Sequence, residues 1–264
     1  MKLAFVTLLF AVLMVSCKKD KDETVLPGEL AVVHDRLAAS FDTLNTLIGN
    51  ANAQFAQSGI DTSAMRAKLL ELFNTCTFSE EFVFTTPQGI LQIIEPPAYY
   101  AYQGSDISNQ PHVITAFQTK QPVLSNAFDV VEGYQAAVDI HPIIQNSQVI
   151  GAISAVFEPA RLLGRIIEPI VTSQGFEMWV MEKTGVVLFD QDTAEIGLNV
   201  LTDPLYANYP ELLAACQKIA AENSGETSYS FFQTGTSNVV KKKTFWMTFS
   251  MHGNEWKIIW VKPE

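Results

Sequence analysis

The stretch Glu81-Phe82-Val83-Phe84-Thr85-Thr86-Pro87-Gln88-Gly89-Ile90-Leu91-Gln92-Ile93-Ile94 sets two short aromatic and branched runs on either side of a Pro- and Gly-bearing turn. That pattern predicts a β-hairpin. Ninety-six positions later the form returns: Met178-Trp179-Val180-Met181 passes through Glu182-Lys183-Thr184-Gly185 into Val186-Val187-Leu188-Phe189. Gly185 stands where Gly89 stood, and each supplies a turn with backbone freedom that other residues lack. The chain therefore reads as an internal repeat.

The repeat extends downstream. Pro122-Val123-Leu124-Ser125-Asn126-Ala127-Phe128 has a counterpart in Gly225-Glu226-Thr227-Ser228-Tyr229-Ser230-Phe231, and both lead into a closing hairpin. In the first copy a strand over Ala136 to Ile140 turns at Gln145-Asn146-Ser147 into Val149 to Phe157. In the second, Thr244 to Met251 turns at Gly253-Asn254 into Trp256 to Val261. Each copy predicts an antiparallel sheet with one face covered by a helix and loops.

Helical spacing fills the rest. Leu30, Val33, Leu37, Phe41, Leu44, Ile48, Ala51 and Phe55 recur every three or four residues, one stripe of a long helix that Gly59 breaks. Asp61 and Thr62 can cap a second helix carrying Met65, Leu69, Leu72 and Phe73. Leu162, Leu163, Ile166, Ile167 and Ile170 mark a helix joining the copies, and Asp203-Pro204 opens a helical stretch to about Glu222 that Pro210 can split. The fold class is α+β, with expected boundaries at 29–76 for the leading helical segment, 77–158 for the first module, 159–174 for the connecting helix and 175–264 for the second module.

Seventeen basic and 28 acidic residues give a net charge of −11, which disfavours a nucleic-acid backbone as partner. Residues 1–16 stand apart: after Lys2 comes an apolar run from Leu3 to Val15, shorter than the roughly twenty residues a bilayer core needs. The run reads as a signal-peptide core. Leu13-Met14-Val15-Ser16-Cys17 resembles a lipobox, making Cys17 the expected lipidation site and 17–28 a charged tether. Loss of 1–16 leaves 16 basic and 28 acidic groups. The chain is thus expected to be an extracytoplasmic, periplasmic or cell-surface lipoprotein anchored to a membrane, with no cytoplasmic part. Cys76 and Cys216 read as buried apolar residues, with a disulfide as the alternative.

A long leading helix followed by two tandem antiparallel modules resembles the double Cache (PAS-like) sensor domain of chemoreceptors and histidine kinases. Tyr99-Tyr100-Ala101-Tyr102-Gln103-Gly104-Ser105-Asp106, Pro122-Val123-Leu124-Ser125 and His141-Pro142-Ile143 with Val149-Ile150-Gly151-Ala152 look like the family's membrane-distal segments around the ligand. Gly185 to Asp190 and Glu195-Ile196-Gly197-Leu198-Asn199 look like the membrane-proximal counterpart. The resemblance implies a small-solute pocket in the first module. Two departures matter. Residues 108–120 contain neither the Arg nor the Trp of the amino-acid-binding motif, so a carboxylate clamp is not expected. The family's usual transmembrane helices and output domain are not read in this sequence either, so a membrane-bound signalling partner is expected.

The candidate ligand-binding residues are Tyr99, Tyr100, Tyr102, Asp106, Ser125, Phe128, Asp129, Asp139 and His141. Aromatic walls with carboxylates suit an amine or other cationic solute. Each has a structural alternative. The tyrosines can be lids on the sheet, Asp106 can cap a following helix, Asp139 can face pocket or water, and His141 can make a structural hydrogen bond. Asp190, Asp192 and Glu195 read as solvated acids and Lys241-Lys242-Lys243 as a solvated strand edge. The histidines lack metal-ligand spacing and no nucleophile or phosphate-loop motif occurs, so no metal, cofactor or catalytic residue is expected. The leading function is ligand binding and sensing, with dimerisation through the first helix as an option. The competing one is a structural or interaction module with a degenerate pocket.

Overall fold

The computed structural model describes residues 25–172 and 175–264. The leader at 1–16 and Cys17 lie outside the described residues. Helix α1, Gly28–Ser58, spans 31 residues, about 46 Å at 1.5 Å per residue. Its predicted stripe from Leu30 to Phe55 is buried throughout. Helix α2, Thr62–Thr75, starts at Asp61, whose carboxylate accepts the Ala64 N–H at 2.8 Å.

The first module contains β1 (Glu81–Thr85), β2 (Leu91–Glu95), a 3-10 turn at Pro97–Tyr102 and α3 (Pro111–Thr119). The short β3 (Val123–Leu124) and β4 (Phe128–Asp129) follow, then the long β5 (Gln135–Gln145) and β6 (Gln148–Phe157). Helix α4 (Pro159–Val171) joins it to the second module: β7 (Glu177–Glu182), β8 (Val187–Phe189), α5 (Pro210–Ala221), β9 (Ser224–Phe232), β10 (Val239–Met251) and β11 (Asn254–Pro263). The sheets run β2-β1-β6-β5-β3, with β4 also on β5, and β8-β7-β11-β10-β9. Every pairing is antiparallel. The two orders are the same, so the repeat in sequence is a repeat in topology.

The repeat reaches individual hydrogen bonds. Ile107 N–H donates to Gly89 O at 2.8 Å and Val200 N–H to Gly185 O at 2.9 Å. Both glycines have positive φ, 80° and 95°. A Cβ on Gly89 would lie 2.5 Å from Ser108 Cα, and one on Gly185 would lie 2.7 Å from Asn199 Oδ1. Conformation and space together exclude a side chain at both turns.

Alternation along the strands gives each sheet two buried faces. The inner faces share one core with α1, which runs past both modules. The Phe41 ring lies within about 6 Å of Phe78 and Phe157 on one side and Phe249 and Trp256 on the other. The outer faces carry separate cores, one under α3 and the β2–β3 connection, the other under α5.

Two sequence expectations change here. Lys241-Lys242-Lys243 is not a strand edge, because β9 pairs along β10 and makes it an inner strand. Lys242 is 4% exposed and bonds Glu177 at 2.6 Å, while Lys241 and Lys243 pair with Glu264 and Glu226. The helix expected from Asp203 is only a 3-10 turn at Pro204–Tyr206; α5 begins at Pro210, which needs no N–H partner in a first helical turn. Cys76 and Cys216 are buried free thiols. No helix of the described residues is long and apolar enough to cross a membrane.

Candidate functional site

The outer face of the first sheet holds a cavity of about 30 Å³. Alternation aims Glu81, Val83 and Thr85 of β1 into it, beside Val138 of β5 and Ser154 and Val156 of β6. His112 of α3, Phe128 and the 130–132 segment close the opposite side. Glu81 is completely buried. Its Oε1 accepts the Tyr134 hydroxyl at 3.3 Å, but Oε2 has no partner, and neither has the buried Thr85 Oγ1. Unpaired buried acceptors are costly, so two at one cavity need an explanation.

Burial, reinforced by the Glu132 charge, pushes the Glu81 carboxyl up to about 8. Burial and the Glu81 charge also push the Tyr134 phenol up. His112 is driven down to about 4 by burial, so its ring is neutral at pH 7. Among the described residues, no Arg or Lys lines the cavity. The site therefore offers acceptors and a latent negative charge, with no cation to hold an anion.

The second module has the corresponding cavity, about 70 Å³, lined by Glu177, Asp190, Asp192, Glu195, Tyr206 and Lys242 among others. Glu177 opens β7 ninety-six positions after Glu81 opens β1. Its carboxylate is already paired with the Lys242 ammonium at 2.6 Å. Asp190 is pushed up to about 8, mainly by burial and then by the Glu195 charge. Glu195 is likewise raised by burial while accepting the Tyr206 hydroxyl at 2.9 Å. These acids are half-buried cavity walls and not the freely solvated groups that their loop position suggests.

The predicted site residues separate into three groups. Phe128 lines the first cavity, and its ring lies 5.4 Å from that of His112. Tyr99 stands 6.3 Å from Tyr134, and Tyr102 donates to Glu132 O at 3.3 Å, so both brace the cavity wall. Tyr100 instead donates to Glu95 at 2.5 Å under the Arg66 guanidinium, away from the cavity. Asp106 accepts Ser108 N–H at 2.9 Å and caps a turn; the next helix begins only at Pro111. Ser125 Oγ accepts Val138 N–H at 2.9 Å, a strand-joining bond, and Asp129 is exposed.

Asp139 and His141 lie on the other face of β5, toward α1 and the second module. There His141 Nε2 donates to Asp139 Oδ2 at 3.1 Å and His252 Nδ1 to Oδ1 at 2.8 Å. Sequence reasoning missed Glu81, Thr85, His112, Glu132, Tyr134 and Ser154. A signal existed for Glu81: a charged residue opening a strand, directly before the apolar Phe82-Val83-Phe84 and in phase with Val83.

Residues 39–159 match the family model described as HK/GC/Chemotaxis protein-like, sensor domain. No curated protein is similar in sequence. Among solved structures, an extracellular ligand binding receptor from Desulfohalobium retbaense is 25% identical, with TM-score 0.74; the match covers 89% of this chain but 39% of that receptor. This chain thus spans about two fifths of the receptor's length. The periplasmic sensory domain of the Campylobacter jejuni chemoreceptor Tlp1 is 11% identical over 90% of this chain and 93% of that one, with TM-score 0.64. The ligand-binding domain of the Pseudomonas aeruginosa amino acid chemoreceptor PctB, in complex with L-Gln, is 14% identical over 90% and 89%, with TM-score 0.65.

Proposed function

We propose that this chain, whose fold is that of solved sensor domains and whose residues 39–159 match the HK/GC/Chemotaxis protein-like sensor domain model, is a double Cache sensor that binds a small amine-bearing solute in its first module. The carrying observation is the comparison of two equivalent carboxylates. Glu177 in the second cavity is met by the Lys242 ammonium at 2.6 Å, whereas Glu81 in the first has an oxygen with no partner. A solute ammonium takes the place in the first module that the lysine takes in the second. Thr85 Oγ1 accepts a second hydrogen from it, and Val83, Val138, Phe128 and Val156 surround its carbon atoms.

The cavity's size favours a solute of few heavy atoms. The lining's lack of Arg and Lys disfavours one recognised mainly through a carboxylate. The bound state is passed to a membrane-bound signalling partner, with the chain held outside the cytoplasm by lipid on Cys17. The small volume also supports a second reading, a structural or interaction module whose pocket is filled by its own walls.

A thermal-shift panel of small amines, carboxylates and amino acids separates the two. Amines are expected to raise Tm in the parent chain and not in Glu81→Gln. Silence across the panel would leave only the structural reading.

A further inference from the structure

Asp139, His141 and His252 bring three ligating groups together at the junction of the modules, and their donor atoms lie within 4.8 Å of one another. We propose that they form a binding site for a divalent transition metal of the zinc type, clamping the β10–β11 turn of the second module to β5 of the first. This site lies on the opposite face of β5 from the solute cavity and does not depend on the solute reading.

The sequence hides the set. Asp139 and His141 are two apart on one strand, which aims both side chains to one face. The third ligand arrives from 111 positions further along the chain. His252 occupies the turn between β10 and β11 with a φ of 44°, a conformation that costs energy for a residue with a side chain. It is held there from the first module: Leu124 N–H donates to His252 O at 3.2 Å, and Asp139 accepts the ring N–H. The backbone thus spends strain to deliver this imidazole to a buried carboxylate.

The chemistry of the set suits zinc. Two imidazole nitrogens and one carboxylate make an N2O donor group, which selects Zn2+ and its neighbours over the all-oxygen cages of Ca2+ or Mg2+. Asp139 is fully buried, and its only bonding partners in the cluster are the two histidines. Each ring nitrogen now bonds a different oxygen of this one group, so a metal replaces the two hydrogen bonds without recruiting any residue from elsewhere. His252 is also reachable, since with Gly253 it borders an open groove of about 1080 Å³ between α3 and the Pro122–Asn126 segment. The groove gives an ion its entry path and a water the remaining coordination position.

The test uses the full untagged chain in detergent, stripped with a chelator and titrated with ZnCl2 by calorimetry and thermal melting. One zinc per chain, bound at micromolar concentration or tighter with a rise in Tm, is expected. His252→Gln, at a partly exposed turn, should still fold without metal, with a Tm lowered by the loss of its bond to Asp139, and should bind zinc at least tenfold more weakly; His141→Gln should weaken binding similarly. His34→Gln, far from the cluster, should bind as the parent does. Co2+ in place of zinc should give the visible absorption of a four-coordinate site, lost in His252→Gln. Absence of saturable binding in the parent overturns the proposal, as does zinc binding that survives in the His141→Gln/His252→Gln chain.

Discussion

Glu81 carries the chemistry of the first cavity, and its buried carboxyl makes a stability prediction. Folded, it keeps its proton up to about 8; unfolded, it loses it near the ordinary value of 4.5. The native state therefore binds more protons between those values, and the Glu81 contribution to stability falls as pH rises from about 4.5 to about 8, then levels. Urea melts at pH 4.5, 6.5 and 8.5 should show the parent losing stability relative to Glu81→Gln over that window. A constant difference between the two would mean that Glu81 ionises normally. Among the candidate residues, the sequence could suggest chemical type but not facing. Asp139 alternates with Val138 and Ile140, and only the position of α1 decides that the aspartate face of β5 points away from the cavity. His252 was beyond sequence reasoning altogether, because its partners lie in the other module.

The elements show the reverse balance, with local pattern sufficient for most of them. The α1 stripe, the Asp61 cap and the two Gly turns follow from short-range spacing and backbone chemistry. Gly89→Ala meets both a φ of 80° and a contact 2.5 Å from Ser108 Cα, so it should lower stability by more than about 1 kcal/mol in a denaturant melt. Asp61→Ala removes one capping bond and should cost about 1 kcal/mol. What local pattern missed was sheet position. Three consecutive lysines look like an edge until β9 is seen to pair with them, and Lys242 is buried because Glu177 on β7 reaches it.

At the scale of the whole molecule, α1 is the common wall of both modules, and Phe41 touches aromatic rings from each. Phe41→Ala should cost about 3–5 kcal/mol, and it should destabilise both modules together. Tryptophan fluorescence, whose four residues all lie in the second module, and far-UV circular dichroism, which reports both modules, should show one coincident unfolding transition in the parent chain; two separated transitions would mean that the shared core does not couple them. The same architecture places two homologous cavities on the outer faces, one with its own ammonium and one with an unpaired carboxylate oxygen. That difference is the centre of the account, and proton release measures it most directly. Because the Glu81 carboxyl is held at about 8 by burial, an amine entering as ammonium at pH 7 must displace its proton. Calorimetric titration of the strongest-binding amine, in two buffers of different ionisation enthalpy, should give about one proton released per ligand bound, and none in Glu81→Gln. Binding with no proton release in the parent chain would contradict the account.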